Sequence, residues 1–222
     1  MLPVNTILQG ERYKLLLGDF REVGKEIKDN SVDLVFTDPD YHDEMLFLYS
    51  PLAEFAARVL RPSGSLITYT QHMNINKIFR LLDEHLNFTA LFALKQTGHL
   101  PMLWDTQIFP HVKFLVMYSK GDYTPKHTLS NYLTSIYQGK RYHGWQQSSV
   151  EAMYFISNLV EENGVICDPF MGSGTTGVAC IIKKRQFIGI EINPDTLKTA
   201  EKRLLEATKF QTLTSFTKKE EE

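Results

Sequence analysis

The chain has 222 residues, 43% of them hydrophobic, enough for one large domain with a substantial core. Its net charge of −2 excludes a global basic field that would draw the protein onto nucleic acid, so any such contact must come from a local patch. No run approaches membrane-spanning length, no basic start leads into a long apolar stretch, and the seven histidines show no HExxH spacing. A membrane, a secretory route and a metal site are therefore not expected. The two cysteines, Cys167 and Cys180, sit in apolar runs and form no CxxC pair. They read as buried thiols of a reducing compartment, which fits a cytoplasmic protein.

In chain order, residues 12–18 read as a strand ending at Asp19. Residues 31–37 read as a second strand, its apolar side chains nearly continuous, as in a parallel strand buried on both faces. Residues 51–60 carry helical apolar spacing, Arg61-Pro62-Ser63-Gly64 breaks it, and 65–71 follows as a strand. The spacing predicts a helix over 74–86 and strands over 88–96 and 111–119. Residues 120–147 are polar, aromatic and irregular. An amphipathic helix over 148–163 is capped by Ser148 or Ser149 and ended by Gly164. A strand over 165–170, a helix over 174–184, a strand over 186–192 and a helix from Pro194 to Lys209 complete the chain, with 211–222 as a flexible tail. Strands alternating with helices predict an α/β fold: a mostly parallel, seven-stranded sheet with helices on both faces, in a single domain over 1–210.

The most informative segment runs from Cys167 to Cys180 and contains Asp168-Pro169-Phe170-Met171-Gly172-Ser173-Gly174-Thr175-Thr176-Gly177. Glycines between a strand and a helix let the chain turn sharply and let a ligand touch the backbone. Gly172, Gly174 and Gly177 satisfy GxGxxG, the dinucleotide fingerprint, which keeps a nicotinamide-dependent oxidoreductase as one alternative. Two features oppose it. The dinucleotide fold places this loop in its first βα unit, whereas here only one strand and one helix follow. An acid, Asp168, also stands at the strand tip, where a pyrophosphate is unwelcome and an amine is not. Glu191 ends the next strand, suited to bind both hydroxyls of a ribose. S-adenosyl-L-methionine (AdoMet) fits the description of a ligand with a ribose, a positive amine and no required phosphate.

The segment "DPFMGSGTT" followed by "GIEINPDTLKTAEKRL" resembles the AdoMet-binding half of amino-methyltransferases acting on DNA, and "DLVFTDPDY" (residues 33–41) resembles their catalytic DPPY motif. The catalytic motif precedes the glycine loop, the order of the circularly permuted beta class of the N6-adenine and N4-cytosine family. The resemblance implies a Rossmann-like methyltransferase fold. Its catalytic half covers about 12–120, a connecting and recognition segment 120–147, and an AdoMet-binding half 148–208. It also implies DNA as partner, with RNA open, and it leaves a homodimer and a cognate nuclease as open questions.

On that reading Asp38 is the carboxylate that accepts an N–H of the target amine, the carbonyl of Pro39 accepts the other, and Tyr41 stacks on a base taken out of the duplex. Asp40 replaces the family's second proline and places a like charge beside Asp38. Cofactor contacts fall to Asp168, Phe170, Gly172, Ser173, Gly174, Thr175, Thr176 and Glu191. Asp19, at another strand tip, lies near the cofactor adenine by resemblance, or is simply a cap. Gln147 and Ser148 stand where the family carries a Lys-Pro contact to the methionine end. Lys120, Lys126, Lys140 and Arg141, interleaved with tyrosines and Trp145 and opposed only by Asp122, form the candidate nucleic-acid surface. Adenine N6 is favoured over cytosine N4 by family habit, since the chemistry allows both. A module that binds cofactor or nucleic acid without turnover is the alternative that Asp40 and the missing Lys-Pro motivate.

Overall fold

A computed structural model describes residues 6–39, 43–70, 72–96, 107–134 and 149–219. In chain order the elements are β1 (Ile7–Gln9), β2 (Tyr13–Leu17), α1 (Phe20–Val23), β3 (Val32–Thr37), α2 (Tyr49–Val59), β4 (Leu60–Thr70), α3 (Ile75–Asp83), β5 (Asn87–Lys95) and β6 (Val112–Ser119). There follow β7 (Tyr132–Thr134), α4 (Ser149–Leu159), β8 (Val165–Asp168), α5 (Thr175–Ile182), β9 (Gln186–Glu191) and α6 (Pro194–Lys219). The chain divides into two compact units, one formed by 1–26 with 140–222 and the other by 27–139.

In the first unit the strand order is β1-β2-β9-β8. β2 and β8 both run parallel to β9, with Leu17 opposite Glu191 and Asp168 opposite Gly189. β1 pairs antiparallel with β2 at the edge. The apolar runs seen in the sequence are the reason: Leu15, Leu16, Ile166, Cys167, Phe187 and Ile190 are all buried, as strands covered on both sides must be. Helix α6 lays Leu197, Ala200 and Leu204 into the same core, a stripe at helical spacing. Both cysteines are buried in this unit and are not joined in a disulfide.

In the second unit the order is β3-β4-β6-β5-β7. β3 and β4 are parallel, but β6 runs antiparallel to both β4 and β5. Val32, Leu34, Val35, Phe36 and Thr37 of β3 are buried, while Asp33 turns outward to pair with Arg61 at 2.9 Å. The breaker at 61–64 does not end a helix before a new strand, as the sequence suggests. It lies inside β4, where Ser63 takes φ 62° and the register against β3 slips between Val32 and Leu34. Leu60 pairs with Val32 and Ser65 with Leu34, so residues 61–64 take up an irregularity opposite Asp33, and regular pairing resumes at Ser65.

Nine strands are described where the sequence predicts seven, because β1 and β7 are edge pieces of three residues, too short to show a period. Beside the parallel pairings of each unit, β1 and β6 add antiparallel ones. α6 continues through Lys219, past Lys209.

Candidate functional site

The strand tips of the first unit converge. The N–H of Gly18, just past β2, donates to the carbonyl of Glu191 at 2.9 Å, and the N–H of Met171, just past β8, donates to the carbonyl of Ile190 at 3.0 Å. Phe20 and Phe170 meet with ring centroids 5.0 Å apart, tilted by 55°. Asp19, Phe170 and Glu191, distant in sequence, therefore share one end of one sheet, the end of the C-termini of β2, β8 and β9. Ligands of open α/β sheets bind outside that end.

Asp168 is 3% exposed. One carboxylate oxygen accepts the N–H of Phe170 at 3.1 Å and the other accepts the hydroxyl of Thr176 at 2.7 Å. A buried carboxylate needs such partners, and these two fold the loop back onto the first turn of α5. The carboxylate that the sequence assigns to a ligand amine thus also builds the loop. Its charge, added to burial, pushes the Cys180 thiol well above its usual value.

Gly172 and Gly174 adopt φ of 54° and 79°, left-handed conformations that L side chains resist. Their surroundings differ. A Cβ on Gly174 would stand 3.0 Å from Ala200 Cβ and Leu204 Cδ1, so the loop is pressed against α6 there. Among the described residues, a Cβ on Gly172 would meet no heavy atom within 4 Å. Those residues leave the backbone at Gly172 bare, open to the close approach of a ligand.

Glu191 is partly exposed, and its Oε1 accepts the N–H of Asn193 at 2.7 Å. Asn193 in turn caps α6, its side-chain oxygen accepting from the N–H groups of Asp195 and Thr196 at 2.9 and 3.1 Å. These contacts hold the carboxylate at the β9 tip. Asp19 caps α1 through the N–H of Arg21 at 2.9 Å and pairs with the Arg21 guanidinium. The hydrogen bond from that guanidinium is the main reason its carboxyl is held below the usual 3.8. Asp19 therefore caps α1, one of its two expected roles. Ser173 and Thr175 accept hydrogen bonds from Arg203 of α6, which the sequence reading did not single out.

In the second unit, β3 delivers Asp38 to its tip, partly exposed, followed by buried Pro39. The neighbouring strand is braced there: buried Tyr49 donates its hydroxyl to the carbonyl of Tyr69 at 3.1 Å, and the rings of Phe36 and Tyr69 meet edge to face at 6.0 Å. Burial pushes the Tyr49 phenol up, and the charge of Asp38 adds to this. Lys120 is placed otherwise than a phosphate contact would be. Its ammonium donates to Asn30 Oδ1 at 2.6 Å and to the Leu60 carbonyl at 2.9 Å, where β3 and β4 begin. A six-residue strand puts it roughly 20 Å from the Asp38 end. Lys126 is exposed and lines an open cleft of about 550 Å³ with Thr89, Phe92, Met117 and Tyr123.

The family model described as DNA methylase matches residues 24–202, which include both Asp38 and the glycine loop. The chain belongs to the DNA methylase family. Among its relatives is Type II methyltransferase M.BamHI of Bacillus amyloliquefaciens, 26% identical over a 231-position alignment that covers 81% of this chain and 54% of that protein. Of solved structures, PvuII DNA methyltransferase (cytosine-N4-specific) superposes with a TM-score of 0.77 at 18% identity, covering 88% of this chain and 87% of that one. At that identity the likeness shows the fold alone. A complex of M1.HpyAVI with SAM reaches a TM-score of 0.72 at 25% identity, covering 86% and 98%.

In this DNA methylase, Tyr41, Asp40, Lys140, Arg141, Trp145, Gln147 and Ser148 lie outside the described residues. Among the described residues, no group of three or more His, Cys, Asp or Glu could hold a metal ion, and no helix is long and apolar enough to cross a membrane. Arg203 was legible only in part. It follows Ala200 by three positions on the buried stripe of α6, but Glu-Lys-Arg in a charged helix ordinarily reads as a solvated face.

Proposed function

We propose that this DNA methylase transfers a methyl group from AdoMet to an exocyclic amino group of a base in DNA, with adenine N6 as the favoured acceptor. The observation that carries the reading is the glycine loop itself: a bare backbone at Gly172, beside strand tips that present Glu191 and Asp19. This suits a ligand with an adenosine at one end and a backbone-hugging chain at the other. A relative solved with SAM supports the same cofactor. The order of the motifs supports the permuted, beta-class arrangement.

In this reading Glu191 binds the ribose hydroxyls, Phe170 lies beside the adenine, and the backbone of 172–174 follows the methionine chain. Asp168 and Thr176 hold the loop in shape for it. When bound, AdoMet supplies an electrophilic methyl on its sulfonium. Asp38 and the carbonyl of Pro39 accept the two N–H bonds of the target amine, whose lone pair is otherwise delocalised into the ring. Gripped in this way, the nitrogen moves toward tetrahedral geometry and its lone pair is freed for in-line attack. The Asp38 carboxylate stabilises the positive charge that builds on nitrogen as the N–C bond forms and the S–C bond breaks. The amine then loses one proton, leaving a neutral methylamino group. Tyr41 stacks on the base, and Lys126, Lys140, Arg141 and Trp145 contribute to the nucleic-acid surface.

The test is modification-sensitive sequencing of native DNA from a host expressing the wild type or Asp38→Ala. N6-methyladenine in a fixed sequence context with the wild type alone supports the reading. N4-methylcytosine would move the base and keep the chemistry. No modification with either protein, together with no transfer to DNA or RNA by the purified wild type at any salt concentration, would remove the catalytic claim.

A further inference from the structure

Arg203 of α6 is 8% exposed, an unusual place for a cation. Burial of a guanidinium is costly unless good acceptors surround it. Here one nitrogen, Nη1, donates to the carbonyl of Ser173, to the Ser173 hydroxyl at 2.9 Å and to the Thr175 hydroxyl at 3.3 Å. All of these acceptors belong to the crest of the glycine loop and the first residue of α5. On either side of Arg203 along the same helix face, Ala200 and Leu204 press on Gly174, and Leu204 also stands close to Gly177. The start of α6 is pinned as well, because Asn193, which caps it, donates its N–H to Glu191. A single rigid helix is therefore tied at one end to the β9 tip and three turns later to the loop at Ser173 and Thr175.

We propose that Arg203 is a positioning residue for the cofactor. Through Ser173 and Thr175 it fixes the loop backbone at Gly172–Gly174 at a set distance from Glu191, with α6 as the spacer. The inference rests on the AdoMet reading above. Its chemistry asks for arginine specifically. The planar guanidinium holds Nη1 in a fixed direction toward the carbonyl and both hydroxyls, whereas lysine offers a point charge on a flexible stem.

The test compares wild type, Arg203→Met, Arg203→Lys, Ser173→Ala and the Arg203→Met/Ser173→Ala double variant. AdoMet binding is followed by calorimetry and melting temperature by circular dichroism, with KM and kcat measured beside them. Arg203→Met weakens AdoMet binding about tenfold or more and raises the AdoMet KM in step, while the DNA KM and kcat at saturating cofactor stay within about twofold. Arg203→Lys fails to restore binding, and the double variant binds no worse than Arg203→Met alone, because the two residues act through one contact. A fall in melting temperature with unchanged AdoMet affinity would overturn the proposal, and so would additive losses in the double variant. If Arg203→Met does not fold, Arg203→Lys and its combination with Ser173→Ala give the same comparison. A folded wild type that binds no AdoMet would instead overturn the cofactor reading, and this inference with it.

Discussion

Two strand tips in this chain end in Asp-Pro, and they are built for different purposes. At the tip of β8 Asp168 is almost fully buried, and each of its oxygens accepts a hydrogen bond from within the turn, from the Phe170 N–H and the Thr176 hydroxyl. At the tip of β3 Asp38 is partly exposed, ahead of a buried proline, on a strand whose other residues are buried except for Asp33. The same dipeptide in sequence thus gives one carboxylate that shapes a loop and one that is presented at the edge of its unit. Burial, rather than the motif, distinguishes the two carboxylates. The difference makes opposite demands on the two acids.

The largest expected effect is on turnover. On the proposed mechanism Asp38→Ala removes the acceptor for the amine, and kcat should fall by about a hundredfold or more, the scale of a lost transition-state contact. AdoMet affinity and the melting temperature stay near wild type. Asp168→Ala reverses the pattern. It leaves the Thr176 hydroxyl and the Phe170 N–H without this acceptor, and chemical denaturation should show a loss of about 2–3 kcal/mol, with cofactor binding falling alongside. Equal stability losses for the two variants would erase the distinction drawn here.

A smaller effect is expected at Gly174. Its positive φ and the 3.0 Å approach of Ala200 and Leu204 make Gly174→Ala destabilising by about 1–2 kcal/mol, read from the denaturation midpoint. Gly172→Ala shares the strain but not the crowding, so it should cost less stability while still weakening AdoMet binding. The smallest effect belongs to Asp19. Its carboxyl is held below 3.8 chiefly by the Arg21 hydrogen bond. A depressed folded pKa means that its contribution is present above the unfolded value and lost as pH falls through the folded one. Asp19→Asn should flatten that acid-side slope by no more than about 0.5 kcal/mol, because the pair is partly exposed and screened. Stability followed from pH 6 down to pH 2 checks it.

The contrast between the tips also explains what was readable in the sequence. β3 and β8 were visible because both are apolar runs that stop at an acid and a proline. The glycine loop was visible because Gly172 and Gly174 are needed for their φ values, and a backbone need of that kind leaves a residue type behind. What stayed hidden lacked such a trace. The edge strands at 7–9 and 132–134 have too few residues to show a period. The irregularity at 61–64 looked like a full break because Pro62 and Gly64 punctuate an excursion within a strand and a turn between elements in the same way. Arg203 was masked by its neighbours, since only the packing of α6 on the loop distinguishes a buried guanidinium from a solvated one. The second role of Asp168 was hidden for the same reason. A sequence shows an acid at a strand tip but not the hydroxyl of Thr176, eight residues later, turning back to meet it.

The most direct test of the central claim is single-turnover transfer of a labelled methyl group from AdoMet to DNA by the purified protein, followed by analysis of the nucleosides. The account predicts label in N6-methyladenine with the wild type and none with Asp38→Ala, although both proteins bind AdoMet equally. Label of equal amount with Asp38→Ala, or wild type that binds AdoMet and transfers nothing to any DNA or RNA, would contradict it.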